Sequence, residues 1–312
     1  MELPRSLVDA IGNTPLVELR KVVPAGSARV LAKLEFENPT GSMKDRVAKA
    51  MVEAAAADGR LRPGGTVVEY TAGTTGVSLA MVCAAKGYQA HMVYSDAFSQ
   101  EKRLTMQAFG AEITIVKSDN KKITEKLIKE MIETAAEISK RPNHWYSDQL
   151  SNTDAIAGYY PLGDEIWKQT GGKLDAFVQA VGTAHSIHGA TKALWKHNGS
   201  IHIAAVEPAE SAVLSGEPSG SNKIEGIGIG FIPPLWEPEL VNEIIKVKSD
   251  YAKAMSRLLA RDEGLFVGTS SGANVVAALR VAKKLGPGAT VVTIMVDSGL
   301  RYLSTGLFIG TS

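Results

Sequence analysis

Cysteine is almost absent from this 312-residue chain: Cys83 is the only one. One thiol builds neither a structural disulfide nor a multi-cysteine metal site, and Met81-Val82-Cys83-Ala84-Ala85 is the setting of a buried core residue. An excess of one charge is missing too. The 34 Lys and Arg residues stand against 33 Asp and Glu, a formal net charge of +1, so nothing in the balance points to nucleic acid or an anionic membrane as partner. No run of 18 apolar residues occurs, which excludes a transmembrane helix. The opening Met1-Glu2-Leu3-Pro4-Arg5-Ser6 has no apolar stretch that reads as a signal peptide, and the cytosol is the expected compartment. The 6 histidines form no His-x-x-x-His or Cys/His cluster, so no metal site is expected. What remains is the composition of a globular protein, 45% hydrophobic and 21% charged, at a length that suggests about two domains.

Short β-branched runs alternate with longer helical patterns. Strands are predicted at 66–70, 91–94, 112–116, 176–180, 201–206 and 290–295. Helices are predicted over 76–86, 100–109, 121–139, 185–196, 251–263 and 272–284. This alternation implies an α/β fold with parallel sheets covered by helices on both faces. Lys140-Arg141-Pro142-Asn143 is the best candidate for a domain junction, and 215–222, rich in Gly, Ser and Pro, reads as a surface loop.

Lys44 stands out within Asn38-Pro39-Thr40-Gly41-Ser42-Met43-Lys44-Asp45-Arg46. Asn-Pro and Thr-Gly read as a turn, and Ser42 with Asp45 has capping-box spacing, which puts Lys44 in the first turn of a helix. The positive end of the helix dipole, with some burial, favours the free amine that a Schiff-base lysine needs. Taken locally, a solvated helix-start lysine explains the pattern as well.

Two glycine-rich turns each follow a predicted strand and open a helix: Thr71-Ala72-Gly73-Thr74-Thr75-Gly76 and Gly182-Thr183-Ala184-His185-Ser186. Such turns offer backbone N–H groups at a helix N-terminus, beyond the C-terminal ends of the strands where α/β proteins collect ligands. A pair of them with a primed lysine suggests a ligand bearing two separate anionic groups. Neither turn fits G-x-G-x-x-G or the phosphate loop ending in Gly-Lys-Ser/Thr, and Gly226-Ile227-Gly228-Ile229-Gly230 also fails the dinucleotide spacing. Nicotinamide and ATP readings are therefore disfavoured. Gly268-Thr269-Ser270-Ser271-Gly272-Ala273-Asn274 is, by itself, a capped helix start.

Together and in this order, these segments resemble the cysteine synthase and cystathionine β-synthase family of fold type II pyridoxal-phosphate enzymes. The resemblance runs from Ile11-Gly12-Asn13-Thr14-Pro15-Leu16 to Asp297-Ser298-Gly299 and Arg301-Tyr302-Leu303-Ser304-Thr305. It implies two open, mostly parallel twisted sheets flanked by helices, with the active site between a large and a smaller domain. Residues 1–12 and 35–146 are the expected smaller N-terminal domain, containing the mobile, carboxylate-binding part. Residues 13–34 and 147–312 are the expected larger C-terminal domain, carrying the cofactor phosphate site. The implied cofactor is pyridoxal 5'-phosphate, joined to Lys44 as an internal aldimine. By the same resemblance Gly182, Thr183, Ala184, His185 and Ser186 hold its phosphate, Ser270 meets the pyridine nitrogen, and Thr74 lies near the 3'-oxygen. Thr71, Ala72, Gly73, Thr75 and Gln149 then bind the substrate carboxylate, with Gly226 and Ile227 beside the substrate amine.

The expected reaction is β-replacement on a small β-substituted L-amino acid through an aminoacrylate, with O-acetylserine or a relative as donor and sulfide or another small nucleophile as acceptor. A serine opposite the pyridine nitrogen suits loss of a β-substituent over transamination. The alternatives are β-elimination, as in a cysteine desulfhydrase or serine dehydratase, and a non-catalytic homologue that binds a partner's tail. A homodimer is expected, with no nucleic-acid or membrane partner. Six positions depart from the family pattern. Thr74 replaces an Asn that reaches the 3'-oxygen, Ala72 lacks a hydroxyl near the leaving group, Leu300 replaces a Glu, and Ala184-His185-Ser186 replaces Gly-Gly-Thr. The His185 side chain is left open between a further phosphate donor and a ring that points outward.

Overall fold

The computed structural model describes residues 6–309. The strands are β1 (Leu16–Leu19), β2 (Arg29–Leu34), β3 (Thr66–Tyr70), β4 (Gln89–Ser95), β5 (Glu112–Val116), β6 (His144–Tyr146), β7 (Ala176–Ala180), β8 (His202–Pro208), β9 (Glu243–Val247) and β10 (Thr290–Met295). The α-helices are α1 (Lys44–Ala57), α2 (Thr74–Lys86), α3 (Gln100–Ala108), α4 (Glu125–Ile138), α5 (Asp154–Ala157), α6 (Tyr160–Gln169), α7 (His185–His197), α8 (Ser249–Leu258) and α9 (Thr269–Leu285). They form two compact units: residues up to Ile11 with Asn38–Gly158, and Gly12–Glu37 with Tyr159 onward.

The first unit is built on a four-stranded sheet in the order β5-β4-β3-β6, parallel throughout. Leu127, Met131, Ala135 and Ile138 recur at helical spacing along α4 and pack on Val68, Tyr70, Val93 and Val116 of the strands. Full burial of each large apolar side chain contributes about 1.5–3 kcal/mol before the entropy of ordering is counted.

The second unit holds a six-stranded sheet, β1-β2-β10-β7-β8-β9. Only β1 with β2 is antiparallel; the other pairings run parallel. Every residue of β7 and β10 is buried, which is why these strands read as nearly unbroken apolar runs. The Gly12–Leu16 motif is tied in by buried polar contacts. Lys33 Nζ donates to the Thr14 carbonyl and to Glu165, both at 2.6 Å, and Thr14 Oγ1 donates to Glu35 at 2.7 Å.

The sequence-based junction at Lys140–Asn143 lies inside the first unit, where it turns α4 into β6. The Thr66 N–H donates to the Asn143 carbonyl at 2.9 Å, and β6 pairs with β3. The unit then continues through α5, which packs on α1, and ends at Gly158 rather than 146. At the other boundary it resumes at Asn38 rather than 35. The π-helical turn Leu259–Glu263 follows α8, so the helix predicted over 251–263 is an α-helix plus one wider turn.

Candidate active site

In the first unit, Lys44 is the first residue of α1 and is half-buried. Its backbone N–H donates to Ser42 Oγ at 3.2 Å. The expected capping box does not form. Asp45 instead accepts from the Thr40 N–H at 2.8 Å, from Thr40 Oγ1 at 2.5 Å and from Ser78 Oγ of α2 at 2.6 Å. Its carboxylate therefore ties the turn before Lys44 to the second helix instead of reaching back to Ser42. Spacing alone could not show this, because Ser78 lies on another element.

Ser78 belongs to α2, which starts at Thr74, two residues earlier than predicted, because Gly73 serves as its N-cap at φ 128°. Thr71 Oγ1 accepts from the N–H groups of Gly73 and Gly76, at 2.9 and 3.1 Å. The Thr71 side chain thus folds the turn from within, and its one hydrogen remains available for donation. Thr74 and Thr75 occupy the first helical turn, where backbone donors have no i−4 acceptor and anions are favoured. Ala72 is exposed beside them. Gln149 is buried, and its Nε2 donates to the Tyr70 carbonyl at 3.0 Å, one residue before Thr71. The second hydrogen of that amide is left for another acceptor. The first unit therefore gathers Lys44, the Thr71–Thr75 turn and Gln149.

In the second unit, Gly182–Ser186 joins β7 to α7. Gly182 is held by close approach: a Cβ there would lie 2.4 Å from the Gly226 carbonyl oxygen. Ala184 takes the left-handed conformation, φ 69°, at the N-cap of α7. A non-glycine residue there carries about 1 kcal/mol of backbone strain. Ala184→Gly is accordingly expected to raise stability by about 0.5–1 kcal/mol, a gain in Tm readable by calorimetry. The His185 ring is buried, and its Nδ1 lies 2.9 Å from Thr183 Oγ1, so the open question of its direction resolves inward.

Ser270 is buried in the first turn of α9. Neighbouring Thr269 Oγ1 accepts the Glu225 N–H at 3.1 Å, which brings the 225–228 segment against this helix start. Tyr302 Oη donates to Asp297 at 2.8 Å, and the Asp297 carbonyl accepts the Gly268 N–H at 3.2 Å, bracing the turn from behind. Burial first, then the Asp297 charge, holds the Tyr302 phenol well above its ordinary range, so it stays a donor. Asn274 links three elements, accepting from the Ala180 N–H at 2.7 Å and donating to the Ile294 carbonyl at 2.8 Å. The second unit therefore brings together Gly182–Ser186, Gly226–Ile227 and Ser270. Leu300 is 68% exposed on the 3-10 turn Gly299–Thr305.

The sequence reading gave no role to Asn274 or Tyr302, although each lies inside a segment it singled out, and it gave Asp45 only a capping role. A charged or amide side chain beside small residues at a helix start was the available signal.

An open, mostly parallel α/β fold with a helix-start lysine and backbone-lined anion turns is the architecture of an enzyme that uses an organic phosphate cofactor. The family described as pyridoxal-phosphate dependent enzyme matches residues 7–297, and this chain belongs to it. A cysteine synthase from Staphylococcus aureus is 42% identical over 305 residues, covering 97% of this chain and 96% of the relative. The crystal structure of a cysteine synthase from Entamoeba histolytica matches with a TM-score of 0.93 and 37% identity, covering 100% of this chain and 92% of that one. An O-acetylserine dependent cystathionine β-synthase from Helicobacter pylori matches with a TM-score of 0.91 and 33% identity, covering 99% and 100%. The protein is thus a pyridoxal-phosphate-dependent enzyme of the cysteine synthase family.

The donor set fits that cofactor. The turn before α7 has its backbone pressed against Gly226 at the one position where a side chain would block it. Ser270 presents a hydroxyl at a helix start, and Lys44 supplies the only half-buried amine of its turn.

Proposed function

We propose that this enzyme performs β-replacement on a small L-amino acid carrying a β-leaving group, with O-acetylserine or a close relative as donor and sulfide or another small nucleophile as acceptor. The observation that carries the reading is Lys44 at the start of α1, held beside the opening of α2 through the Asp45–Ser78 bond. Pyridoxal phosphate, when bound, supplies an electron sink that acidifies the substrate Cα. Lys44 holds the cofactor, and its Nζ, once released, takes the Cα proton. First-turn N–H groups at Thr74 and Thr75, the Thr71 hydroxyl and the Gln149 amide hold the substrate carboxylate. Gly182–Ser186 holds the cofactor phosphate, with Gly226 and Ile227 beside the substrate amine. A neutral hydroxyl at Ser270, in place of a carboxylate, favours departure of a β-group over transamination. The names of the relatives support the donor and acceptor classes.

The test is a panel of β-substituted amino acids, each assayed with and without sulfide, cyanide and thiols. A new β-substituted amino acid as the main product supports replacement. Ammonia and an oxo acid, formed at the same rate without a nucleophile, would establish β-elimination in its place.

Ala72 and Thr74 shift the preference between partners, because one lacks a hydroxyl and the other is shorter than Asn at the mouth of the turn. Ala72→Ser with Thr74→Asn is expected to raise kcat/KM for cysteine synthesis relative to the native reaction by about tenfold. No change in that ratio would clear these positions of a part in specificity. A homodimer in the cytoplasm completes the reading, supported by the family resemblance over the whole chain. A monomer in sedimentation velocity would refute the dimer. Among the described residues no helix is long and apolar enough to cross a membrane.

A further inference from the structure

One acid occupies a strand where parallel sheets place apolar side chains. Glu69, in β3, is fully buried. Its Oε2 accepts the Gln149 N–H at 3.0 Å and lies 2.6 Å from Ser147 Oγ. Ser147 Oγ also lies 3.2 Å from the Val68 carbonyl, and the Ser147 N–H donates to that carbonyl at 3.0 Å. Glu69 therefore grips the two residues that end at the Gln149 side chain, while its own strand runs directly into Thr71–Thr75. We propose that Glu69 is a positioning residue that sets the Gln149 amide against the Thr71–Thr75 turn, so that both meet one carboxylate of the substrate. The inference rests on the reading of Gln149 and that turn as the carboxylate site.

The hydrogen bonds around Glu69 admit two forms, and its burial favours the neutral one. Ser147 has one hydroxyl hydrogen and two oxygens within reach, the Val68 carbonyl and Glu69 Oε2. If the hydrogen goes to Val68, the short contact to Glu69 requires a proton on the carboxyl. If the hydrogen goes to Glu69, Oε2 accepts from both Ser147 Oγ and the Gln149 N–H, and the Val68 carbonyl keeps the Ser147 N–H. Glu69 Oε1 is buried with no hydrogen-bond partner among the described residues. That is tolerable for the carbonyl oxygen of an acid and costly for half of a carboxylate.

The titratable groups facing Glu69 are Tyr70 on its own strand, Tyr146 on β6 and Asp148 after it. None is a cation. Burial pushes the Glu69 carboxyl up to about 8; the bonds from Ser147 and Gln149 pull it down, and Asp148 adds to the rise. The folded value lies above the ordinary 4.5. The neutral form's contribution to stability is thus complete below about 4.5 and is lost as pH rises through about 8.

The experiment uses the cofactor-loaded enzyme and three variants: Glu69→Gln, Glu69→Asp and Gln149→Ala. Glu69→Gln keeps the length and removes the titration. Its Tm relative to wild type is expected to climb from pH 6 to about pH 8 and then level off, and its KM for the amino acid to stay within about twofold at pH 7. Glu69→Asp withdraws the carboxyl by one methylene. It is expected to raise that KM about fivefold or more with kcat within about twofold, and Gln149→Ala should do the same. A flat Tm difference across pH for Glu69→Gln would show an ionised Glu69 and overturn the neutral acid. Wild-type KM in Glu69→Asp, alongside a raised KM in Gln149→Ala, would overturn the positioning role alone. Wild-type KM in Gln149→Ala would remove the carboxylate reading, and the proposal with it.

Discussion

Lys44→Ala is expected to leave a folded protein that neither takes up the cofactor covalently nor turns over. The backbone here is held without the Lys44 side chain. Met43 before it is buried, Asp45 after it is bonded to Thr40 and Ser78, and the Lys44 N–H is met by Ser42 Oγ. Alanine is at home in a helical first turn, so stability should change by less than about 1 kcal/mol. The chemical loss should be large, about a thousandfold or more in kcat/KM, because in the proposed mechanism one nitrogen both holds the cofactor and moves the Cα proton. Wild-type protein treated with borohydride should carry a reduced label on Lys44, and the variant should carry none. A label on a different lysine, or full activity in the variant, would displace Lys44 from this role.

Gly182→Ala should have the second largest effect, by a different route. The added methyl would sit 2.4 Å from the Gly226 carbonyl oxygen, a backbone atom that cannot swing aside. Either the turn before α7 or the 226–228 segment must shift, and both belong to the proposed site. Cofactor affinity is expected to fall at least about tenfold, about 1.4 kcal/mol, in an equilibrium titration followed by absorbance. His185→Ala should cost less than that. Its imidazole lies 2.9 Å from Thr183 Oγ1, whereas the proposed phosphate ligands are N–H groups of the helix start. If the histidine variant loses the cofactor and the glycine variant keeps it, the imidazole and not the backbone is the phosphate ligand.

Much of the candidate site's local setting was legible because its signals are local. Thr66–Tyr70, Glu112–Val116, Ala176–Ala180 and Thr290–Met295 are strands with the ends that their β-branched runs suggest. Lys44 heads its helix where the turn residues place it. The first two strands, β6 and β9 were not read. β1 and β2 are short and flanked by charges, and β2 gains its place only by pairing with β10, far along the chain. The helix start at Thr74 was missed because a threonine pair reads as loop until Gly73 is seen at φ 128°.

Turn chemistry singled out Lys44 and the two glycine-rich turns from residues a few positions apart, and the order of the motifs along the chain carried the resemblance that implied the enzyme class and its cofactor. Tertiary structure alone decided the rest. Asp45 abandons its cap for Thr40 and Ser78, Ala184 is pressed into a glycine conformation, His185 turns inward, and Glu69 is buried in a sheet interior against Ser147 and Gln149. Those outcomes depend on burial and on partners distant in sequence, and both act only once the chain has closed around them.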